Sequence, residues 1–345
     1  MVRFDCDYMA GAHPKVLDAI VRINNVQTPG YAHDSFCDEA RKLIRESCGT
    51  PDAGVFFMVG GTQTNATVLD GLLPRIGGVI AVESGHINVH EAGAVEFCGH
   101  KVITLPSHQG KMCAGELRDY LYDFYADETW PFMTVPGAVY ISFPTENGTI
   151  YSLQELKDLH EIAGEYNIPL FVDGARLGYG LAASPDVTLP LLAQNCDVFY
   201  IGGTKMGALF GEAVVCVNPA CLKGFENLMK AHGAVLAKGR LLGVQFAQLF
   251  TDNLYMEIGR HGVELAMELR RILEAKGFRP FIDSPTNQQF FVLPNEVIDR
   301  ISSGISFEYW GLRGEKESKV RFVTSWETTP EDIRALETIL TNGLL

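Results

Sequence analysis

The chain has 345 residues, 47 % of them hydrophobic and 20 % charged, with a formal net charge of −14. The length exceeds one typical domain and the composition is that of a globular protein, while the acidic balance argues against nucleic acid or an anionic membrane as partner. No apolar run approaches the roughly 18 residues of a membrane span, and Met1-Val2-Arg3-Phe4-Asp5-Cys6-Asp7 turns polar at once, unlike a signal peptide, so a cytoplasmic location is expected.

Short apolar runs alternate with helix-like segments along the first two thirds of the chain. The runs are Val55–Val59, Val79–Val82, Lys101–Leu105, Ala138–Phe143, Pro169–Val172, Val198–Ile201 and Ala213–Val217. They are continuously apolar rather than alternating, which predicts a sheet buried on both faces and hence a layered α/β domain over about 12–240. Helices are predicted at Asn65–Leu73 and at Leu153–Tyr166, the latter opened by the capping box Ser152-Leu153-Gln154-Glu155. From Leu241 a long helical stretch to Lys276 leads into runs at Arg279–Phe281, Phe290–Leu293, Phe307–Trp310 and Val320–Thr324. A smaller α+β domain is predicted there, closed by a helix after Thr329-Pro330-Glu331. The division is therefore 1–240, including the N-terminal segment, and 241–345.

Chemistry gathers where two of the runs end. Leu170-Phe171-Val172-Asp173-Gly174-Ala175-Arg176 delivers an acid and an arginine, and Ile201-Gly202-Gly203-Thr204-Lys205 delivers a lysine among small residues. Strand ends of an α/β sheet are where such folds place ligands. A pyridoxal phosphate site needs this pair: the lysine forms a Schiff base, and the acid keeps the pyridine nitrogen protonated. The plainer readings are a turn lysine, and an Asp173 that simply pairs with Arg176. In the functional reading Arg176 instead holds a substrate carboxylate as a fork.

Other segments are weaker alone. Gly60-Gly61-Thr62-Gln63-Thr64-Asn65 follows a strand and opens a helix, a suitable phosphate cradle that lacks the Walker lysine. His86 and His90 are spaced as if to share a helix face, but with no third ligand evident no metal is expected. His86 suits stacking on a flat cofactor and proton transfer, and His90 a satisfied structural role. Arg321 lies on the opposite strand face from Val320 and Phe322, where an isolated arginine is usually solvated. The eight cysteines form no Cys-x-x-Cys pair, so neither zinc nor disulfides are expected, and Cys98, Cys196 and Cys216 read as reduced core thiols.

Taken together, Gly11-Ala12-His13-Pro14, the Gly60–Asn65 turn, His86-Ile87-Asn88-Val89-His90-Glu91, Asp173-Gly174-Ala175-Arg176-Leu177 and Gly202-Gly203-Thr204-Lys205 resemble the threonine aldolase / β-eliminating lyase family of fold-type-I enzymes dependent on pyridoxal 5'-phosphate. The resemblance implies a large domain with a mostly parallel seven-stranded sheet between helices, plus a smaller C-terminal α+β domain. It implies Lys205 as the Schiff-base lysine, Asp173 as the pyridine-nitrogen partner and His86 stacked on the ring. Gly61, Thr62, Arg176 and Thr204 fall at cofactor-binding positions, and Arg176 with Arg321 also at the substrate carboxylate. Members are dimers or tetramers with shared sites, which implies that Tyr31, Lys238 and Arg240 reach a neighbour's cofactor or substrate. Two positions depart from the pattern. Cys6 stands where many members carry Ser or Asn near the substrate carboxylate, and the stretch Thr129-Trp130-Pro131-Phe132-Met133-Thr134 lacks a histidine that many aldolases have. The implied activity is aldol cleavage of L-threonine or L-allo-threonine to glycine and acetaldehyde. The alternatives are β-elimination or another amino-acid reaction on the same cofactor, and a non-catalytic binding protein of the same fold.

Overall fold

The structure, a computed structural model, describes residues 1–344. After a two-residue strand β1 (Val2–Arg3), seven strands build the large sheet: β2 (Gly54–Met58), β3 (Gly77–Val82), β4 (Lys101–Leu105), β5 (Val135–Ser142), β6 (Leu170–Asp173), β7 (Val198–Gly202) and β8 (Glu212–Cys216). Their order is β2-β8-β7-β6-β5-β3-β4, and only β8 runs antiparallel to its neighbours. Strands β3, β6, β7 and β8 are buried at every residue, which explains why their sequences are apolar without alternation.

The period of two still sorts side chains between two layers. Ile80, Val139, Val172, Phe199 and Val215 face a core shared with the helices Ser35–Cys48, Leu153–Glu165 and Arg240–Phe250. Ala81, Tyr140, Phe171, Tyr200 and Val214 face a second core with the helices Gly61–Leu72 and Phe225–Ala231. Fully burying one such phenylalanine contributes about 1.5–3 kcal/mol, so these layers supply much of the force that closes the sheet. The same alternation puts Asp173 on the face of Phe171, Tyr140 and Tyr200. Its strand partner across the register is Ser142.

The stretch 241–276 is two helices rather than one, Arg240–Phe250 and Leu254–Ala275. Asp252 and Asn253 between them adopt φ of 51° and 58°, a left-handed step that an α-helix does not pass through. The second helix spans both cores. Leu254, Tyr255 and Ile258 belong to the large one, Leu265, Leu269 and Leu273 to the small one.

The small sheet has strands β9 (Arg279–Ile282), β10 (Gln288–Pro294), β12 (Glu308–Tyr309) and β13 (Glu317–Val323), all antiparallel, in the order β12-β13-β10-β9. Strand β11 (Ile305–Ser306) pairs with β1, and Phe4 sits in the small core, so the first residues of the chain lie against the C-terminal unit. No helix among the described residues is long and apolar enough to cross a membrane.

Candidate active site

Strands β2, β3, β5, β6 and β7 end along one edge of the sheet, and the antiparallel β8 begins there. The segments that follow or precede those ends line a cavity of ≈ 320 Å³, walled by Gly60, Gly61, Thr62, His86, Asp173, Arg176, Thr204 and Lys205 among others. A cavity of that size at the strand ends of an α/β sheet is where a small ligand or cofactor fits.

Asp173 is 4 % exposed and accepts four hydrogen bonds. Tyr140 Oη (2.7 Å) and Asn65 Nδ2 (2.9 Å) donate to Oδ2, while Tyr200 Oη (2.5 Å) and the Ala175 N–H (2.9 Å) donate to Oδ1. Burial by itself would raise its pKa. The charge of His86 and the bonds from Tyr140, Tyr200 and Asn65 outweigh that and hold it below the ordinary value. The result is a buried anion lining the cavity. From it a chain of bonds runs through Asn65 to Glu91 Oε1 (2.7 Å) and on to His86 Nδ1 (2.6 Å). Burial lowers the His86 pKa, but its bond to Glu91 and the charges of Asp173 and Glu91 reverse the direction.

Lys205 follows β7. Burial and the charge of Arg176 lower its pKa against the pull of Asp7, Asp173 and Glu212, which moves it toward the neutral, nucleophilic amine. Its Nζ lies 5.8 Å from the centre of the Tyr8 ring. Beneath it Glu212 accepts from the Gly203 N–H (2.9 Å) and Thr204 Oγ1 (2.7 Å), and burial pushes its carboxyl up to about 7. Gly174 and Gly202 let the ends of β6 and β7 meet. A Cβ on Gly174 would stand 1.9 Å from the Tyr200 carbonyl oxygen.

Arg176 does not pair with Asp173. Its Nε and Nη2 are held by Asp7 at 2.7 and 3.0 Å, from 169 residues away. Asn287 Nδ2 fixes the same carboxylate at 3.0 Å. Asp7 is 1 % exposed, and Arg176 and Lys205 outweigh the effect of its burial to keep it ionised. Arg321 is buried rather than solvated. It donates to Gln288 Oε1 (2.8 Å) and to Glu308, and its guanidinium lies 5.0 Å from the Trp310 ring centre. It feels the charges of Arg176 and Asp7, and its Nε is a buried donor with no partner among the described residues.

His90 departs from the expected structural role: it is exposed, with its ring 5.6 Å from that of His86. Cys98 is partly exposed and not a core thiol. Cys6 is partly buried and close enough to Tyr8 to raise that hydroxyl's pKa after burial has done so. Tyr31, Lys238 and Arg240 stand apart from this cavity within the chain. Tyr31 lines a second one together with Gly239, which Lys238 and Arg240 flank.

Asp7, Tyr140, Tyr200 and Glu212 join the site without belonging to any motif legible in the sequence, and Asn65 joins it from the end of the Gly60–Asn65 turn. A tyrosine inside an apolar strand was the readable signal for two of them, because a buried phenol needs a hydrogen-bond partner. Asp7 and Asn65 carry no such signal.

The residues present fit pyridoxal 5'-phosphate. The Gly61–Leu72 helix directs its first N–H groups to the cavity, and a Cβ on Gly60 would meet nothing within 4 Å, so there is room for a phosphate. The buried anion Asp173 suits a protonated ring nitrogen and Lys205 an aldehyde.

A family model described as beta-eliminating lyase matches residues 4–292. A low-specificity L-threonine aldolase of Pseudomonas aeruginosa is 28 % identical over 340 residues, covering 97 % of this chain and 95 % of that one. The structure of a threonine aldolase from Leishmania major is 40 % identical, with a TM-score of 0.95 and 99 % of each chain covered. An aspartate aminotransferase from Thermus thermophilus, 15 % identical with a TM-score of 0.71 and covering 99 % and 91 %, shares the fold-type-I architecture. On the match over most of its length and the likeness to the Leishmania protein, this chain belongs to the beta-eliminating lyase family.

Proposed function

We propose that the chain catalyses aldol cleavage of a β-hydroxy-α-amino acid, L-threonine or L-allo-threonine, to glycine and acetaldehyde, with pyridoxal 5'-phosphate as cofactor. The observation that carries this reading is the meeting of Lys205, Asp173, His86 and the Gly61–Thr62 helix start in one cavity. The names and coverage of the Pseudomonas and Leishmania relatives support the substrate class.

In this reading Lys205 would carry the cofactor, the Gly61–Thr62 helix start would hold its phosphate end, Thr204 would border it while bonded to Glu212, Asp173 would accept from its ring nitrogen, and His86 would serve the ring face. When bound, the cofactor supplies a sink for the electron pair left on the α-carbon. Arg176 presents the edge not taken by Asp7 to the substrate carboxylate, and Arg321 adds its unpartnered Nε–H. Two cations on one carboxylate fix which α-carbon bond faces the ring. Cys6, before Asp7, borders that carboxylate. In its neutral form His86 gives its Nδ1–H to Glu91, which leaves Nε2 free to accept the proton of the substrate hydroxyl. Burial of Asp173, Glu146 and Tyr200 around the cavity strengthens each of these interactions.

The same reading makes the protein a homo-oligomer, dimer or tetramer, in which Tyr31, Lys238 and Arg240 complete a neighbour's site. The buried Arg240 Nε, with no partner among the described residues, supports this. Residues 1–240 and 241–345 are read as the large and small units, and eight free cysteines suit a cytoplasmic setting.

The test is to load the protein with cofactor and supply L-threonine and L-allo-threonine separately, with Lys205→Ala as control. Lysine-dependent release of both glycine and acetaldehyde is expected. Release of neither, with pyruvate and ammonia formed from serine, would replace the aldolase by an eliminating lyase.

A further inference from the structure

Away from the active site, three residues that are far apart in the chain come together. Asp70 lies in the last turns of the Gly61–Leu72 helix, Cys98 caps Ala94–Phe97 and His232 caps Phe225–Ala231. A carboxylate oxygen, the thiol sulfur and a ring nitrogen of these three all lie within 4.8 Å of one another. We propose that Asp70, Cys98 and His232 form a binding site for a borderline divalent cation of the zinc class, with water as the fourth ligand.

The donor set selects the ion. Thiolate and imidazole suit zinc or cobalt, whereas magnesium and calcium seek oxygen alone. Tetrahedral bonds of about 2.0–2.3 Å require ligand atoms roughly 3.3–3.8 Å apart. His232 Nε2 now stands 2.6 Å from Asp70 Oδ2, so these two open by about 1 Å while Cys98 draws in, a movement within reach of side-chain rotation.

The carboxylate is already aimed by a partner outside the set. His100 Nε2 lies 3.2 Å from Asp70 Oδ1, and its Nδ1 lies 3.1 Å from the Gly77 carbonyl oxygen, so the ring cannot turn away. Outer partners of this kind orient metal ligands. An open cleft between Ala66, Phe97 and Leu228 reaches the three donors and leaves space for the ion and its water.

On binding, Cys98 gives its thiol proton to solvent. His232 Nε2 gives the proton it now shares with Asp70 to solvent and turns its lone pair to the metal, the ring ending with its proton on Nδ1, and the His232–Asp70 hydrogen bond is replaced by two metal–ligand bonds. Nothing is oxidised or reduced. The ion would join three segments that the sheet alone does not bind to one another, and it would pin the far end of the helix whose first turn carries Gly61 and Thr62. Its effect belongs to stability rather than to the chemical step.

The test is titration with Co²⁺ of the chain at a pH near neutral, read by sulfur-to-cobalt charge-transfer absorption. One equivalent of thiolate-bound cobalt is expected in the native chain and in Cys113→Ser, a control at an exposed cysteine. The band should vanish in Cys98→Ser, and His232→Gln should weaken binding at least about tenfold. Zn²⁺ should displace the cobalt and raise the melting temperature of the native chain but not of Cys98→Ser, whose own melt reports that it is folded. Absence of the band in the native chain, or its persistence in folded Cys98→Ser, would overturn the site. Neither readout depends on the aldolase activity.

Discussion

At the level of single residues, the Asp7–Arg176 fork and the four-donor cradle of Asp173 show how buried charge is made tolerable. Each carboxylate is desolvated, and each is held ionised by neighbours that outweigh the desolvation. Replacing Asp173 by Asn keeps the shape and removes the charge. Turnover should fall by at least about a hundredfold with cofactor still bound, and a urea midpoint should report a loss of about 1–3 kcal/mol as the three side-chain donors lose an ionised acceptor. The pH dependence follows from the directions of the shifts. Asp7 and Asp173 lie below their ordinary 3.8, so their contribution is complete above that pH and is lost as pH falls through their lower folded values. His86 is shifted above its ordinary 6.5, so its contribution is complete below that pH and is lost as pH rises through the higher folded value. Urea midpoints should therefore fall on both sides, and His86→Gln should flatten the alkaline side while moving the acid limb to higher pH, because Asp173 loses the charge that holds it low; an unchanged alkaline slope would refute the assignment.

Elements are held by local devices that the sequence displays. Ser152 accepts from the Glu155 N–H and the Glu155 carboxylate from the Ser152 N–H, which closes the start of the helix Leu153–Glu165. Ser152→Ala should cost about 1 kcal/mol, seen as a lower urea midpoint with activity intact. The joint between β6 and β7 is less forgiving. With backbone 1.9 Å from a Cβ at Gly174, Gly174→Ala must push the two strand ends apart. We expect about 3 kcal/mol of destabilisation and, because Asp173 ends one of those strands and Lys205 follows the other, loss of cofactor affinity as well. A Gly174→Ala protein with native melting and native cofactor affinity would show that this contact does not position the site.

Over the whole molecule, the site draws on both units and on the N-terminus: Asp7 binds Arg176 after β6, Asn287 beside β10 binds the same Asp7 carboxylate, and Arg321 on β13 feels the charges of both Asp7 and Arg176. The proposal that Tyr31, Lys238 and Arg240 serve a neighbouring chain has a direct test. Lys205→Ala and Arg240→Ala, each inactive, are mixed after dissociation and allowed to reassociate. Hybrids with one intact site should recover about a quarter of native activity by statistical pairing. No recovery from verified hybrids would confine each site to one chain.

By itself the sequence determined what depends on neighbours along the chain. Continuous apolar runs announced a sheet covered on both faces, Ser152 and Glu155 announced a helix start, and an acid and a lysine after two such runs announced where chemistry would gather. These signals are legible because strand period, capping and turn formation are set by residues a few positions apart. Tertiary structure alone decided what depends on contact across tens to hundreds of residues: that Arg176 pairs with Asp7, that Tyr140, Tyr200 and Asn65 cradle Asp173, that Arg321 is buried, and that Asp70, Cys98 and His232 meet. No local pattern encodes those meetings, because they arise only when separate elements pack and a buried polar group must find its partner wherever the fold has placed one.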